Sequence, residues 1–222
     1  MTGCCDPRGF EATFTARYAH RSARRYRRRG LDPMAAKVVR RCVEHGIEGA
    51  TVLEIGGGVG ALHLELLRRG AATATNLELV GTYEREAAEL AAEAGLTGRV
   101  RRLMFDLATD PEGVEPADVV VLNRVVCCYP DLGGLLGAAA GRARQLLVLT
   151  YPRSNLFTRG LVVLENRATA LLGRPYRAFV RPPAEIFAVL RAHGLEPAGC
   201  EGGAIWCLTA ATRVSAAAPR PG

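Results

Sequence analysis

The sequence predicts an α/β protein with a mostly parallel, doubly wound sheet. Short apolar strand segments alternate with helical segments through residues 51–150, the pattern of a sheet covered by helices on both faces. A glycine run at residues 56–60 follows the first strand and opens a helix, as it does where such sheets bind ligands. The chain has 222 residues, 49% of them hydrophobic, which suits one domain with a sizeable core.

Two helices are predicted before the first strand. In the first, aromatic residues recur every four positions, which predicts a single amphipathic helix over residues 10–29. Asp32, followed by proline, is a good N-cap signal for a second helix that ends before Gly46. We therefore assign residues 1–48 to an N-terminal helical extension that could act as a lid.

Strands and helices then alternate along the chain. Five strands are predicted at residues 51–55, 72–77, 99–105, 117–122 and 145–150. Helices are predicted after the glycine run up to residue 70 and at residues 83–94, 132–143, 157–172 and 183–194. The helix at 157–172 lies in an insertion of about residues 152–176. The fourth and fifth strands each contain a continuous apolar run, which is typical of strands covered on both faces.

A closing hairpin is predicted at the end of the domain. Residues 195–200 and 204–211 have the composition of two strands joined by a turn at 201–203. Dinucleotide-binding folds rarely end in this way. The main domain is assigned to residues 49–213, and residues 214–222 to a disordered tail.

The formal charge of +7 is concentrated near the N-terminus. Lys37 is the single lysine, and seven arginines fall between Arg17 and Arg29. We interpret this segment as a mostly solvated basic helix face, with nucleic-acid binding as the less favoured alternative. No apolar run is long enough to span a membrane and no secretory signal precedes residue 50, so a cytoplasmic protein without a membrane partner is expected.

The seven cysteines are expected to be reduced thiols. Their number is odd, and nothing in the sequence marks the chain for secretion. The pairs Cys4-Cys5 and Cys127-Cys128 lack the C-x-x-C spacing of a metal site, so no metal is predicted. Cys127 and Cys128 are interpreted as small apolar core residues, with a soft-metal or metalloid site left as an alternative.

The glycine loop and three carboxylates predict the ligand. Glu54 ends the first strand, where a carboxylate repels a pyrophosphate but suits an ammonium or sulfonium group. Glu78 ends the second strand, roughly 20 residues after the loop, where a carboxylate binds a ribose diol. Asp106 follows the third strand and could accept a hydrogen bond from an adenine amino group, with Phe105 and Leu107 flanking the ring. These groups together describe S-adenosylmethionine, although two of the carboxylates could instead cap turns.

On these motifs the sequence resembles the class I S-adenosylmethionine-dependent methyltransferases. The resemblance covers roughly residues 50–211 and rests on LEIGGGVG, on NLEL with a tyrosine after it, and on the acid in MFDL. It implies a Rossmann-like, seven-stranded, mostly parallel sheet with an antiparallel last strand. It also implies that the loop holds the methionine moiety, and the two later acids the ribose and the adenine. The cofactor-binding residues predicted on these grounds are Glu54, Gly56, Gly57, Gly58, Gly60, Glu78, Leu79, Tyr83, Asp106, Leu107 and Asn123.

The acceptor is expected over the carboxyl ends of the fourth and fifth strands, beneath the N-terminal helices. The predicted substrate-binding residues are Tyr18, Arg124, Cys128, Tyr129, Tyr151 and Arg153. The candidates for a general base or orienting group are Tyr18, His20, Asn123 and Tyr129. Arg124 and Arg153 could clamp an acidic acceptor. This half of the chain more weakly resembles the magnesium-protoporphyrin methyltransferases, but Cys128 stands where they have a histidine, so no porphyrin substrate is inferred.

Methyl transfer to an oxygen, nitrogen or sulfur atom of a small molecule is therefore the predicted activity. Three alternatives remain open at this stage. The arginine-rich helix could bind RNA as the methyl acceptor, the glycine loop could hold NAD(P) in an oxidoreductase, or the protein could bind an adenosyl ligand as a regulator without turnover.

Overall fold

Eight strands form one sheet in the computed structural model, which describes residues 7–214. In chain order, β1 to β8 are Thr51–Ile55, Thr73–Glu78, Val100–Met104, Ala117–Asn123, Ala143–Pro152, Leu195–Pro197, Glu201–Gly202 and Trp206–Arg213. Helices α1 to α8 are Pro7–Thr13, Ala16–Arg29, Pro33–His45, Ala61–Arg68, Glu84–Glu93, Leu132–Arg142, Leu156–Leu171 and Pro183–Ala192. Short 3-10 turns lie at Gly81–Tyr83 and Thr97–Arg99.

The sheet has the order β3-β2-β1-β4-β5-β8-β6, and β7 also pairs with β8. Strands β1 to β5 are parallel to one another, whereas β8 runs antiparallel to β5. The strand order reverses between β1 and β4, so a crevice opens there at the carboxyl ends of the strands. The prediction of a mostly parallel, doubly wound sheet with an antiparallel last strand is confirmed.

Side chains alternate between two cores, one on each face of the sheet. In the central strand β4, Val119 and Val121 face the core that includes the N-terminal helices, whereas Val120 faces the core that includes α6 and α8. All three are buried because helices cover both faces, as their continuous apolar run predicts.

The closing hairpin is displaced from its predicted position. Residues 195–200 do not form one strand: β6 ends at Pro197, and β7 begins at Glu201, where a turn was predicted. Gly202 has φ +147°, and a Cβ there would lie 2.2 Å from the carbonyl oxygen of Trp206. The chain therefore turns after this glycine, since only a residue without a side chain fits so close to the facing strand. The sheet therefore has eight strands, one more than the seven predicted.

The single helix predicted over residues 10–29 is also wrong, because the chain breaks at Phe14 and Thr15. Thr15 is the N-cap of α2, and its hydroxyl accepts a hydrogen bond from the Tyr18 N–H at 3.4 Å. A threonine that bonds to the backbone in this way favours a helix start over a helix interior. The break frees Phe14 to pack against Tyr83 and Tyr176.

The expectation of reduced thiols fails for one pair. Cys200 and Cys207 form a disulfide, with their Cα atoms 5.5 Å apart. Cys207 lies in β8 opposite Gly202, so the pairing of β7 with β8 brings the residue just before β7 alongside it. The free cysteines of the described chain are Cys42, Cys127 and Cys128.

Some predictions lie outside the described residues, namely those for the Cys4-Cys5 pair and for the tail beyond Val214. The boundary predicted between residues 48 and 49 stays a prediction. Within residues 7–214, no helix has both the length and the apolar character needed to cross a membrane.

Candidate functional site

A cavity of about 310 Å³ lies at the carboxyl ends of the parallel strands, beneath α1 and α2. Its floor comes from the glycine loop after β1 and from the residues that follow β2, β3 and β4. Its roof comes from α2 and from the start of α3. The residues that sequence reasoning placed at the site and that line this cavity are Tyr18, Glu54, Gly56, Gly57, Gly58, Glu78, Leu79, Tyr83, Asp106, Leu107, Asn123, Arg124, Cys128 and Tyr129.

The glycine loop is held tightly against the strand ends. Gly56 and Gly58 have φ values of +66° and +57°, which side chains disfavour. A Cβ on Gly57 would lie 2.1 Å from Nδ2 of Asn76, so the loop backbone passes directly over β2. The guanidinium of Arg102, from β3, donates to the carbonyl oxygen of Gly58 at 3.0 Å. This backbone can approach a ligand closely, because no side chain stands between them.

Glu54, predicted to meet a cationic group of the ligand, already has a protein partner. Its Oε2 lies 2.6 Å from Nδ1 of His63, and both side chains are only 2% exposed. The imidazole also lies under Gly60, where a Cβ would be 2.6 Å from the ring. The buried pair thus joins the end of β1 to the first turn of α4 and supports the loop from below.

Glu78 lies at the end of β2 with its carboxylate beside the loop. One carboxylate oxygen accepts a hydrogen bond from the Gly58 N–H, and the other accepts from the Leu79 N–H at 3.2 Å. Burial raises the pKa of Glu78 above its ordinary value, and these backbone donors and Arg102 oppose the shift only in part. The carboxylate is fixed in orientation and can accept further bonds from a diol.

Asp106 and Tyr129 form one unit of the cavity lining. The Tyr129 hydroxyl lies 3.0 Å from each carboxylate oxygen of Asp106, and Asp106 also caps its own turn by accepting from Ala108 N–H at 3.1 Å. Tyr129 was predicted as a substrate contact or general base. Its hydroxyl instead orients the carboxylate predicted to recognise adenine.

Arg124 connects the site to the N-terminal helices. It is the only residue other than glycine with positive φ in the described chain, at +62°. Its guanidinium donates to Oδ1 of Asp32 at 3.0 Å and lies 5.0 Å from the ring centroid of Trp206. The backbone N–H donates to the Thr150 hydroxyl, which in turn donates to Oδ1 of Asn123 at 2.8 Å. The predicted anion clamp therefore already has a carboxylate partner.

Aromatic side chains form the wall below α1 and α2. Phe14 lies 5.7 Å from the ring of Tyr18 and 6.4 Å from that of Tyr83, and the two tyrosine rings are 6.5 Å apart. Burial, with Tyr18 and Glu78 nearby, raises the pKa of Tyr83 far above its ordinary value, so this phenol stays protonated. The wall can cover a planar or apolar group and exclude water from it.

Four predicted site residues do not line the cavity. Gly60 is the left-handed N-cap of α4, and His20 is paired with Glu86 at 3.1 Å. Tyr151 is fully buried, with its hydroxyl 2.9 Å from that of Thr209. The guanidinium of Arg153 donates to the Gly203 carbonyl oxygen at 3.1 Å. The structure therefore offers no support for Gly60 as a cofactor contact, or for the other three residues as catalytic or substrate contacts.

Several cavity residues were not predicted, and half of them come from the N-terminal segment of residues 10–35. The additional polar or charged lining residues are Ser22, Arg25, Tyr26 and Asp32. The helical periodicity of this segment shows which face is buried, but it does not show which strand ends that face covers. Only the docking of α2 and α3 brings these residues to the cavity.

Comparison with known proteins gives relatives in sequence and in fold. No model of a known protein family matches the chain. The ribosomal protein L11 methyltransferase of Enterobacter sp. (strain 638) is 29% identical over 138 residues, which are 58% of this chain and 46% of that protein. The chain thus matches about half the length of this relative.

Solved structures extend the likeness to most of the chain. Magnesium protoporphyrin IX methyltransferase from Synechocystis PCC 6803, with bound S-adenosylhomocysteine, has a TM-score of 0.66 at 24% identity and is matched over 82% of each chain. An O-methyltransferase family protein from Burkholderia thailandensis has a TM-score of 0.69 at 22% identity, over 93% of this chain and 63% of that one. The fold is that of the class I methyltransferases.

A third methyltransferase of this fold has its acceptor bound. The 1,6-didemethyltoxoflavin-N1-methyltransferase of Burkholderia thailandensis, with S-adenosylhomocysteine and its substrate, has a TM-score of 0.59 at 18% identity, over 82% of this chain and 78% of that one. The methyltransferase fold predicted from the glycine loop and the strand-end carboxylates is confirmed.

Proposed function

We propose that this protein is an S-adenosylmethionine-dependent methyltransferase that acts on a small molecule. The observation that carries the proposal is that Glu78, Asp106 and the backbone of residues 56–58, which lie at the ends of three adjacent strands, all line one cavity. A ribose diol, an adenine amino group and an amino-acid chain are the parts of the cofactor that would need these three features.

The residues of the cavity fit this cofactor. Glu78 is fixed by two backbone N–H groups and can accept from the ribose hydroxyls. Asp106 is oriented by Tyr129 and can accept from the adenine amino group, with the buried Leu107 beside the ring. The methionine moiety would lie along the glycine loop.

When bound, S-adenosylmethionine supplies a methyl group already activated by its sulfonium centre. The chain's own contribution is to position the acceptor in line with that group and to exclude water, and these effects can supply a large part of the rate. Asn123 ends β4, Arg124 follows it, and both line the cavity together with the aromatic wall. A carboxylate or phenolate acceptor would need no general base.

A small-molecule acceptor fits the shape of the site. The cavity lies beneath the N-terminal helices, and many of its lining side chains are aromatic or apolar, which is typical of small-molecule sites. Oxygen, nitrogen and sulfur acceptors all remain compatible with this lining.

Calorimetric titration with S-adenosylhomocysteine tests the cofactor site. The wild-type protein should bind it, and Glu78→Gln should weaken binding by about 1–3 kcal/mol, because the ribose loses a charged acceptor. Glu89→Gln is the matched control, since Glu89 is exposed, pairs with Arg27 and does not line the cavity. Its binding should equal that of the wild type.

The pH dependence of the same titration gives a second signature. The raised pKa of Glu78 means that its carboxylate becomes protonated at a pH above the ordinary 4.5. Protonation removes the acceptor, so affinity should decline on acidification before pH 4.5 is reached, and Glu78→Gln should flatten this decline. Absence of binding to the folded wild type would refute the proposal.

A panel of acceptors, assayed by formation of S-adenosylhomocysteine, then identifies the substrate.

A further inference from the structure

Arg25 is a cation of the cavity lining whose role the proposed function leaves open. The lining contains four carboxylates, and each has a partner: Asp32 with Arg124, Glu54 with His63, Glu78 with two backbone N–H groups, and Asp106 with Tyr129. Arg124 is engaged as well. Within the described chain, Arg25 lines the cavity, is exposed, and makes no ion pair.

The placement of Arg25 on its helix adds a second observation. Arg17, Arg21, Arg25 and Arg29 recur at intervals of four along α2, and all are exposed. Like charges at this spacing destabilise a helix by a few tenths of a kcal/mol per pair, on the order of the gain from an opposite pair. In contrast, Arg27 on another face of α2 contacts Glu89 and Glu93 of α5. The helix dipole favours arginines in the last turn, but it does not account for Arg17, Arg21 or Arg25.

We propose that Arg25 binds a single anionic group, of the carboxylate type, inside the cavity. An anion there would balance a positive charge that the described protein leaves without a counter-ion, and the neighbouring arginines would add a favourable field at the rim. Arginine presents paired N–H donors that match a carboxylate. This role was predicted for Arg124 and Arg153, but Arg124 is paired with Asp32, and Arg153 lies outside the cavity.

The proposal rests on the proposed function and has two possible sources for the anion. One is the amino-acid carboxylate of S-adenosylmethionine, which needs a cation that none of the predicted cofactor residues supplies. The other is an acidic group on the methyl acceptor. Both sources present an anionic group to Arg25, and the ligands used in the test distinguish one source from the other.

The first arm compares two ligands that share the nucleoside. S-adenosylhomocysteine carries the amino-acid part, and 5′-methylthioadenosine lacks it. If the cofactor carboxylate is the partner, Arg25→Gln should weaken S-adenosylhomocysteine binding about two- to fivefold, as expected for an exposed ion pair, and leave 5′-methylthioadenosine unchanged. Arg24→Gln, an adjacent exposed arginine outside the lining, should change neither.

The second arm uses two fluorescent probes that differ in charge. The anionic probe 1-anilinonaphthalene-8-sulfonate and the neutral N-phenyl-1-naphthylamine share one ring system. If the acceptor supplies the anion, Arg25→Gln should weaken the anionic probe about two- to fivefold relative to the neutral one, and Arg24→Gln should not. All proteins in this arm carry Leu164→Gln, because the exposed apolar side chains of α7 could bind either probe.

An effect of Arg25→Gln in either arm, without the same effect of Arg24→Gln, supports the proposal and names the source. Equal effects of the two variants would show that the general electrostatic field matters and not a contact with Arg25, and would overturn the proposal. The absence of any effect in both arms would overturn it as well. If the wild type binds neither adenosyl ligand, the proposed function fails, while the probe arm still decides the role of Arg25.

Discussion

At the scale of single residues, the site depends on buried polar groups that hold one another in place. Tyr129 orients Asp106, and the backbone of the glycine loop orients Glu78. His63 and Glu54 support that loop from below. Such groups persist in a core only when each has a partner, because an unpaired buried charge is costly. Their substitution should therefore affect stability and ligand binding together.

The Glu54–His63 pair gives the sharpest prediction at this scale. His63→Ala should lower the free energy of unfolding in urea by about 2–5 kcal/mol, because it leaves a carboxylate that is 2% exposed without its partner. The exposed His45 at the end of α3 is the matched control, and His45→Ala should cost less than about 1 kcal/mol.

A double variant separates the unpaired charge from the lost packing. Glu54→Gln in the His63→Ala background should recover part of the lost stability, since the buried charge is then absent. A loss below about 1 kcal/mol for His63→Ala would show that the loop does not depend on the pair.

At the scale of elements, the N-terminal helices are attached to the sheet by few polar contacts. The N-cap of α3, Asp32, accepts from the N–H groups of Met34 and Ala35, and the same carboxylate binds Arg124 at the end of β4. One side chain thus starts a helix and anchors the cavity roof. Helix α7 is attached much less firmly, since Thr158 is its only buried residue.

Two substitutions at Asp32 separate its roles. Asp32→Asn keeps a good N-cap but loses the ion pair, so unfolding free energy should fall by less than about 1 kcal/mol. Asp32→Ala should lose about 1 kcal/mol more, because the cap is also lost. Both should change the fluorescence of Trp206, the single tryptophan, because Arg124 lies over its ring.

Asp131 provides the control, since it caps α6 by accepting from the Gly134 N–H and has no described contact with Arg124. Asp131→Ala should cost a similar amount of stability and leave the tryptophan emission unchanged. An unchanged emission in both Asp32 variants would show that this ion pair does not hold Arg124 in place.

At the scale of the whole molecule, the ligand specificity should appear as a change in thermal stability. S-adenosylhomocysteine at about 100 times its dissociation constant should stabilise the fold by about 2.7 kcal/mol, which corresponds to a rise in Tm of about 5–10 °C for a chain of this size. NAD(P) should give no rise, because the proposed cofactor places an amino-acid chain along the loop and not a pyrophosphate. Stabilisation by NAD(P) and not by S-adenosylhomocysteine would favour the alternative function, an NAD(P)-dependent oxidoreductase.

Much of the fold could be predicted because its signals are local. The bounds of β1 and the N-cap of α3 follow from short runs of sequence, and they match the prediction. The errors occur where a single side chain competes with a periodic pattern. Thr15 divides the first helix, and the close approach of Gly202 to β8 moves the closing turn.

The sequence by itself determined the alternating fold and the strand-end residues that line the cavity. Parallel strands place their carboxyl ends along one edge, so a glycine loop, Glu78 and Asp106 at three strand ends must converge. Only the tertiary structure showed which residues of the N-terminal helices line the cavity. Helix periodicity does not specify which strand ends a helix covers, so the docking of α2 and α3 alone brings Arg25 into the cavity, pairs Arg124 with Asp32, and leaves Arg153 outside.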